Sequence, residues 1–278
     1  MISHAQRETF AEFGVIKLEG LIPKAVVSPV RDLVYERLTR AGFWRDQVWN
    51  GPSTRWEGGK PLKAVLKNLA KASLFKTLIT EEILDVAREL VDGESVRPTA
   101  PQAQLLFTPP GAVEWQVPHN VWHLDVARLG DLGPPGVQMF TFLDSVAPRA
   151  GGTLVVAGSH RLLNDDGVIG SKEVKRRLKR QPYFRDLMDK TPSDRNHFMT
   201  ETRHVGDVPL RVVELTGEPG DVYFTDLRQL HSLGANTSSR PRLMVTQRLP
   251  RESVSDRMGE AYAELMASRR KRSDPVPS

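Results

Sequence analysis

The sequence of 278 residues contains no cysteine and no long apolar run. Without cysteine there can be no disulfides, no thiolate zinc site and no cysteine nucleophile, so any metal ion needs histidine or carboxylate ligands. Histidine is itself scarce, with seven residues. The first 28 residues carry charges throughout and no apolar block, which argues against a secretory signal. We therefore expect a cytoplasmic protein that does not enter a membrane.

The formal net charge of +5 at pH 7 does not by itself indicate a nucleic-acid partner. Much of it comes from the basic run at 269–272, within a terminal tail (268–278) that we predict to be disordered. A second basic cluster at 172–180 is predicted to be a solvated helix face, since it has no interleaved aromatic residues for stacking on bases. We expect a small-molecule substrate, no nucleic acid, and predict no particular oligomeric state.

Residues 1–95 show mainly the helical period. Ser3 and Gln6 have the spacing of a capping box at the start of the first helix. A short strand is predicted at 15–18, and the apolar pattern then returns to the helical period. The sequence thus predicts a helical amino-terminal part with one strand.

From residue 96 to residue 250 the hydrophobic period changes to two, which predicts a β-sandwich or barrel. The interruption at 162–206 is long and charged, and its pattern predicts a helical, lid-like insertion. A last helix is predicted at 255–267, so that 1–267 form one domain. The predicted strands are 102–107, 121–126, 137–143, 153–156, 211–215, 221–225 and 243–249.

A candidate metal motif occurs in the second of these strands, where His123 and Asp125 are two residues apart. On a strand both side chains would project from one face. Imidazole and carboxylate are two of the three ligands in the 2-His-1-carboxylate triad of non-haem Fe(II) oxygenases. His231 follows the strand at 221–225, in a turn that places it at a strand end facing a cavity. The sequence therefore predicts a metal site formed by His123, Asp125 and His231.

Arg242 follows His231 by eleven residues, at the start of the last predicted strand. A dicarboxylic cosubstrate that chelates a metal at one end needs a fixed cation at its other end. Arginine suits this role because its planar guanidinium pairs with a carboxylate through two hydrogen bonds. The spacing indicates that Arg242 anchors such a cosubstrate.

Four stretches together resemble the phytanoyl-CoA dioxygenase family of Fe(II)/2-oxoglutarate-dependent oxygenases. They are 10–18 with the amphipathic helix that follows, the Trp-His-Leu-Asp motif at 122–125, the Gly-Gly-Thr to Gly-Ser-His block at 151–160, and 220–242. The resemblance spans most of 8–250. It implies a mainly β fold with α-helices, whose core is a double-stranded β-helix (a jelly roll, cupin-like).

The resemblance also implies the roles of individual residues. His123, Asp125 and His231 would ligate Fe(II) and form the catalytic centre, and Arg242 would hold the distal carboxylate of 2-oxoglutarate. Further contacts to the cosubstrate would come from Gln104, Phe140, Thr141 and Ser232. The family often has a hydroxyl residue two positions after the distal histidine, where this chain has Leu233, and it tends to have tryptophan where this chain has Phe140.

The implied reaction uses dioxygen to hydroxylate an unactivated C–H bond while 2-oxoglutarate is decarboxylated to succinate. Asp125 favours hydroxylation over halogenation, because related halogenases replace this carboxylate by a small residue so that chloride can bind. Desaturation or cyclisation needs no change of ligands and stays an alternative. The expected substrate is a small organic acid or specialised metabolite, with an acyl-CoA as the alternative.

Substrate contacts are predicted around the barrel mouth. The candidates are Trp115, Gln116, His119, Asn120, Trp122, Arg128 and Arg248, with Tyr183 or Phe184 from the insertion. Arg128 has an alternative role in a surface ion pair with Asp131 or Asp144. Among the other histidines, His160 is expected to stabilise a turn, and His4, His197 and His204 are expected at the surface.

Two other functions remain open. A metal-free jelly roll acting as a binding module would not depend on iron, and it has no need for Arg242 at its spacing from His231. A nucleic-acid demethylase of the same chemistry would carry extra arginines after the distal histidine, in a pattern that residues 232–240 do not reproduce.

Overall fold

Helices form the amino-terminal part of the chain and antiparallel strands form most of the rest. The computed structural model describes residues 1–52, 59–130, 133–164, 168–191 and 194–273. The α-helices are His4–Phe13 (α1), Lys24–Arg40 (α2), Gly59–Leu69 (α3), Glu81–Leu90 (α4), Ser171–Leu178 (α5), Pro182–Leu187 (α6), His197–Thr200 (α7) and Glu252–Ser273 (α8), with 3-10 helices at Ser73–Leu78 and Ser159–Arg161. The strands are Val15–Leu18 (β1), Trp44–Arg45 (β2), Val48–Trp49 (β3), Gln104–Thr108 (β4), Arg128–Leu129 (β5), Gly136–Phe142 (β6), Thr153–Ala157 (β7), Val168–Ile169 (β8), Arg203–Val205 (β9), Val208–Glu214 (β10), Val222–Asp226 (β11), His231–Leu233 (β12) and Arg242–Pro250 (β13).

The amino-terminal helices begin and end at their capping residues. The amide of Gln6 donates to Ser3 Oγ at 3.2 Å, and the amide of Ser3 donates to Gln6 Oε1 at 2.7 Å, which confirms the capping box. Gly14 ends α1 in the left-handed conformation with φ 67°. Thr80 Oγ1 accepts from the amide of Ile83 at the start of α4. Local sequence signals therefore set these boundaries.

Two antiparallel sheets form the core. The larger has the strand order β1-β11-β6-β13-β4 and the smaller β12-β7-β10-β9, and over the described residues neither closes into a barrel. Phe140, Phe142 and Met244 from the larger sheet pack against Val155 from the smaller one. The mainly β fold with helices is confirmed.

The outer face of the larger sheet carries the amino-terminal helices. Met139 and Val245 alternate with the inward-facing residues and bury their side chains against Val30 of α2 and Val86 of α4. Each fully buried side chain of this size contributes roughly 1.5–3 kcal/mol to folding. The predicted helical prelude is therefore the layer that covers this sheet.

The outer face of the smaller sheet carries the insertion at 162–206. Leu154 and Leu210 of the sheet belong to one apolar cluster with Tyr183 and Phe184 of α6. Both aromatic side chains are buried, at 4% and 0% exposure. The prediction that one of them lines a substrate pocket is therefore wrong. The insertion is helical, and its apolar residues make it a packed layer of the fold.

The segment 121–126 is not the regular strand that was predicted. Its one described ladder contact is an isolated antiparallel bridge between His123 and His231. The amide of Leu124 donates instead to Ser171 Oγ at the start of α5, at 3.0 Å. Backbone pairing with β12 is thus limited to His123, and the next amide bonds to the insertion.

The last helix is longer than predicted. Helix α8 includes 268–273, which we assigned to a disordered tail, while 274–278 lie outside the described residues. Arginine and lysine are good helix formers and are favoured in the last turn, so a basic composition suits a helix as well as a tail. No helix in the described part of the chain combines the length and apolar character needed to cross a membrane.

Candidate metal centre

His123, Asp125 and His231 lie together beside the smaller sheet. One ligand atom from each lies within 4.8 Å of the others, and the described residues contain no second group of this kind. The Nε2 atom of His123 is 3.7 Å from Asp125 Oδ1, and that of His231 is 3.7 Å from Asp125 Oδ2. Two imidazoles and one carboxylate are the donor set of the non-haem iron facial triad, so these residues fit Fe(II).

Both histidines direct Nε2 towards the common point. Their Nδ1 atoms lie next to backbone carbonyls, at 2.9 Å from Val121 O for His123 and 3.1 Å from Gln229 O for His231. A neutral imidazole that donates its Nδ1 proton to a carbonyl keeps the Nε2 lone pair for a metal. The tautomer needed for metal binding is therefore selected by the backbone.

The charge of Asp125 is favoured by its neighbours. Gln138 Nε2 donates to Asp125 Oδ2 at 2.8 Å, and Arg248 Nη1 lies 3.5 Å from the same oxygen. Burial raises the pKa of Asp125, but His231, Arg248, Gln138 and His123 together lower it by more. Burial also lowers the pKa of His231, partly opposed by Asp125. Both side chains are thus held in their metal-binding forms.

Gln138 is a site residue that the sequence interpretation missed. Its Nε2 atom also lies 3.1 Å from Thr246 Oγ1, and that hydroxyl donates to Met139 O at 2.9 Å. The amide is therefore fixed while it holds Asp125. Gln138 lies two residues before Phe140 on β6. Because side chains alternate along a strand, the predicted contact at Phe140 implies that Gln138 faces the same side, and this signal could have identified it.

Arg242 lies inside the sandwich, as its predicted role requires. Its side chain is buried, with Nη2 donating to Thr108 Oγ1 at 2.6 Å and Nη1 to Leu106 O at 3.4 Å. It shares the inner face of β13 with Thr246 and Arg248. At roughly 3.3 Å per residue, Arg242 is about 13 Å from Thr246 along the strand before its side chain extends. An extended dicarboxylate between Arg242 and the triad is compatible with this spacing.

The structure explains why the glycine-rich block at 151–160 begins with glycine. The φ angle of Gly151 is +87°, and a Cβ atom added there would be 2.9 Å from Asn236 Cβ and 3.4 Å from Arg242 Cβ. Only glycine combines this conformation with so close an approach. The block therefore makes room for the strand start that carries Arg242.

Two of the other predicted cosubstrate residues face the interior of the sandwich. Gln104 and Phe140 are both paired with Thr246 on adjacent strands, and alternation puts all three on one face. The Phe140 ring lies 6.3 Å from the His231 ring, centroid to centroid. Phe140 thus lies next to the metal centre, and Gln104 lies at the exposed end of β4.

Thr141 and Ser232 lie on the opposite faces of their sheets. Thr141 Oγ1 donates to Asp221 O at 2.9 Å, on the face covered by the helices. Ser232 is paired with Leu154, which faces the insertion. Adjacent residues of a strand point in opposite directions, so Thr141 cannot share the site with Phe140, nor Ser232 with His231. Both predicted contacts to the cosubstrate are therefore corrected.

Arg128 is a structural residue and does not line a pocket. It is 1% exposed. Its guanidinium donates to the carbonyl oxygens of Ser159 (2.9 Å), Arg228 (3.0 Å), His160 (3.3 Å) and Leu162, and to Asn164 Oδ1 (3.1 Å). Asp131 lies outside the described residues, and Asp144 instead pairs with Arg240 at 3.1 Å. Burial among oxygen acceptors explains this arginine better than substrate binding or a surface ion pair does.

The remaining substrate candidates are dispersed. Arg248 lies at the metal centre, whereas His119 and Asn120 line a cleft of about 1050 Å³ beside α5. Trp122 also borders this cleft, but its ring is 1% exposed and its Nε1 donates to Pro118 O at 2.8 Å. Trp115 is half-buried with the Arg149 guanidinium 5.8 Å from its ring, and Gln116 is exposed. Trp122 and Trp115 thus have mainly packing roles.

The other histidines are not near the metal centre. His160 is buried after the glycine-rich block, with Nε2 3.1 Å from Ala11 O, in keeping with a structural role. His4 lies 3.3 Å from Glu8 on an exposed helix surface. His197 lies next to Asp194 O, and His204 is exposed.

The family model described as Phytanoyl-CoA dioxygenase (PhyH) matches residues 10–244. The chain belongs to the phytanoyl-CoA dioxygenase family. The predicted family is confirmed, and with it the prediction of a non-haem Fe(II)- and 2-oxoglutarate-dependent dioxygenase that uses these cofactors with dioxygen. No curated protein matches the chain.

Solved structures show a similar fold to this member of the phytanoyl-CoA dioxygenase family. AviO1 from Streptomyces viridochromogenes Tue57 is 22% identical, with a TM-score of 0.51 over 88% of this chain and 93% of that one. EctD from S. alaskensis in its apoform is 20% identical, with a TM-score of 0.51 over 90% and 77%. The non-heme alpha ketoglutarate dependent carbocyclase SnoK from nogalamycin biosynthesis is 17% identical, with a TM-score of 0.52 over 90% and 84%. At these identities the similarity concerns the fold.

Proposed function

We propose that this protein hydroxylates an unactivated C–H bond of a small organic acid or specialised metabolite, at an iron ion held by His123, Asp125 and His231. The observation that carries the proposal is the convergence of their three ligand atoms within 4.8 Å. We further propose that the two facing sheets are the halves of a double-stranded β-helix. The fold similarity to AviO1, at a TM-score of 0.51, supports that assignment.

When bound, the iron with 2-oxoglutarate and dioxygen supplies the oxidation, in which one oxygen atom enters succinate, the other enters the product, and carbon dioxide leaves. The protein contributes the positions of the reactants. His123, Asp125 and His231 would hold the iron and would leave coordination positions for the reactants. Arg242 pairs with the distal carboxylate of 2-oxoglutarate, and the hydroxyl of Thr108 orients its guanidinium. Gln138 keeps Asp125 turned towards the histidines.

Arg248 is placed to bind the substrate. Its guanidinium lies 3.5 Å from Asp125 and remains 33% exposed, on the side of the centre away from Arg242. A cation there suits a carboxylate or another anionic group of the substrate. Because Arg242 and Arg248 are six residues apart on one strand face, the cosubstrate and the substrate can occupy opposite sides of the triad.

Asp125 favours hydroxylation over halogenation because its carboxylate occupies the position that a halide would need. Desaturation and cyclisation use the same ligands, so the product distinguishes them: hydroxylation adds one oxygen atom, whereas desaturation removes two hydrogen atoms. The carbocyclase SnoK shares the fold at a TM-score of 0.52, which makes cyclisation the alternative to examine first.

Turnover under ¹⁸O₂ tests the proposed reaction. The full chain with Fe(II) and 2-oxoglutarate is expected to release succinate that carries one ¹⁸O atom, slowly without substrate and faster with candidate acids. His231→Ala should abolish the labelled succinate. His204→Ala, which alters an exposed histidine, is the matched control and should retain it. Unlabelled succinate, or equal amounts from His231→Ala, would contradict the proposal.

A further inference from the structure

We infer that the insertion at 162–206 positions two of the three metal ligands, His123 and Asp125. The residues that do so are Ser171 and Arg195, which hold the chain within and before the metal motif. The inference rests on the proposed function, and it gives a role in that function to a layer of the fold that supplies none of the three ligands. The affinity for iron should therefore depend on residues of the insertion.

The segment 121–126 has little support from the sheet. Its one ladder contact in the described part of the chain is the bridge between His123 and His231. His231, by contrast, lies on β12, which pairs with β7 over its whole length. The placement of Asp125 and of the backbone around it therefore depends on contacts outside the ladder.

The side chains of the metal motif face two ways. His123 and Asp125 face the metal centre. Trp122 and Leu124, which alternate with them along the chain, are 1% and 6% exposed. Both belong to the apolar cluster that contains Val174 of α5 and covers the smaller sheet. Their burial against the insertion therefore fixes the direction in which the two ligands point.

Ser171 holds the backbone between the two ligands. Its Oγ atom accepts a hydrogen bond from the amide of Leu124 at 3.0 Å, and this amide belongs to the peptide that follows His123. Ser171 is the first residue of α5, and the helix is fixed on the smaller sheet by the buried side chains of Val174 and Leu178. The acceptor is thus presented from a packed helix, and it sets the orientation of the peptide between His123 and Leu124.

Arg195 holds the chain that leads into the metal motif. Its side chain is buried, and it donates from Nε to Val117 O at 2.5 Å, from Nη2 to Pro118 O at 3.0 Å and from Nη1 to Asp189 O at 2.6 Å. Pro118 O also accepts from Trp122 Nε1 at 2.8 Å, so the guanidinium and the indole share one carbonyl. A buried guanidinium needs such acceptors, so displacement of the segment would leave Arg195 unsatisfied.

Anaerobic titration of the metal-free full chain with Fe(II), and then with 2-oxoglutarate, tests the inference. Ser171→Ala removes the acceptor and should weaken iron binding about tenfold, the lower end of the loss that is typical when a ligand loses an outer partner. Ser171→Thr keeps the hydroxyl and should bind iron as the wild type does. Ser3→Ala is the matched control, because Ser3 Oγ also accepts from a backbone amide, that of Gln6 in α1. It should change the affinity for iron less than about twofold.

A second pair of variants tests Arg195. Arg195→Lys keeps the charge, but a single ammonium group cannot reach the carbonyls of both the segment at 117–118 and the insertion, so iron binding should again weaken about tenfold. Arg185→Lys changes an arginine of the same insertion whose side chain is 64% exposed, and should leave the affinity unchanged. Urea unfolding of all the variants separates a loss of stability from a loss of positioning.

Wild-type affinity for iron in Ser171→Ala, or an equal loss in Ser171→Thr or Ser3→Ala, would overturn the inference. If the wild type forms its iron and 2-oxoglutarate complex and both Ser171→Ala and Arg195→Lys form it at the same iron concentration, the positioning role alone is refuted. If the wild type forms no such complex, the proposed function is refuted, and the inference fails with it.

Discussion

The backbones of His123 and His231 exchange two hydrogen bonds. The amide of His123 donates to His231 O at 2.9 Å, and the amide of His231 donates to His123 O at 3.0 Å. Their ring centroids are 4.3 Å apart. This reciprocal pairing fixes the spacing of the two imidazoles through the main chain, although 121–126 is not a strand. The two nitrogen ligands are thereby preorganised for a metal ion.

Removal of the amide that orients Asp125 should weaken metal binding. Gln138→Leu keeps a similar volume but loses the hydrogen bond to Asp125 Oδ2. Loss of such an outer partner typically costs about 10–100-fold in metal affinity. Anaerobic titration with Fe(II) measures the change. Gln102→Leu is the control, because Gln102 bonds to Ala70 O away from the site, and an equal loss in both variants would contradict the orienting role.

A methyl group at Gly151 should disturb the arginine that anchors the cosubstrate. Gly151→Ala meets Asn236 Cβ at 2.9 Å, whereas Gly206, also at positive φ, has no atom within 4 Å of an added Cβ. Gly206→Ala should cost about 1–2 kcal/mol of unfolding free energy from backbone strain alone. Gly151→Ala should cost more and also weaken 2-oxoglutarate binding. Urea unfolding and anaerobic 2-oxoglutarate titration test this, and equal behaviour of the two variants would contradict it.

Loss of Arg128 should lower the free energy of unfolding much more than loss of Arg248 does. Arg128→Met leaves buried carbonyl oxygens without donors and should lower the free energy of unfolding by roughly 3–5 kcal/mol. Arg248→Met removes a one-third exposed side chain and should lower it by less than about 1 kcal/mol. Urea denaturation of both variants is the measurement. Similar losses would show that Arg248 is also structural.

The stability of the fold should fall in mild acid because of His160. Burial, with help from Arg228 and Arg128 and against Asp226, lowers the pKa of His160 below its ordinary 6.5. The unfolded chain therefore takes up a proton below about pH 6.5 before the folded chain does. Stability is fully present above that pH and is lost as the pH falls towards the lowered value, by at most about 1.4 kcal/mol per pH unit.

His160→Gln should reduce that pH dependence, as measured by urea unfolding between pH 7 and pH 5. His204→Gln changes an exposed histidine and serves as the control. The wild type and His160→Gln share all the other histidines, so the difference between their two slopes reports His160. A slope in His160→Gln as steep as that of the wild type would refute this assignment.

The sequence predicts the candidate site better than its surroundings. His123, Asp125, His231 and Arg242 were found because a motif and a fixed spacing identify them together. The predicted cosubstrate contacts of Thr141 and Ser232 are wrong. Each directly follows a residue that faces the site, Phe140 or His231, and strand alternation turns it to the opposite face. The information needed to assign them was therefore present in the sequence.

Other features depend on contacts distant in sequence. The burial of Arg128 is set by carbonyls of 159–162 and 228, and no local pattern reports such partners. The strand predicted at 121–126 is reduced to one bridge, between His123 and His231, and the amide of Leu124 bonds to the distant Ser171. The helix boundaries at Ser3 and Thr80 were predictable because capping acts within three residues.

Anaerobic titration of the metal-free chain with Fe(II) and 2-oxoglutarate tests the central claim most directly. The visible charge-transfer band of the chelate should appear and saturate at one equivalent of iron. His123→Ala should remove the band, and Arg242→Ala should require a much higher concentration of 2-oxoglutarate. Arg240→Ala alters an arginine that pairs with Asp144 instead and should leave the band unchanged. A wild-type protein without the band, or one whose band survives His123→Ala and Arg242→Ala unchanged, would contradict the account.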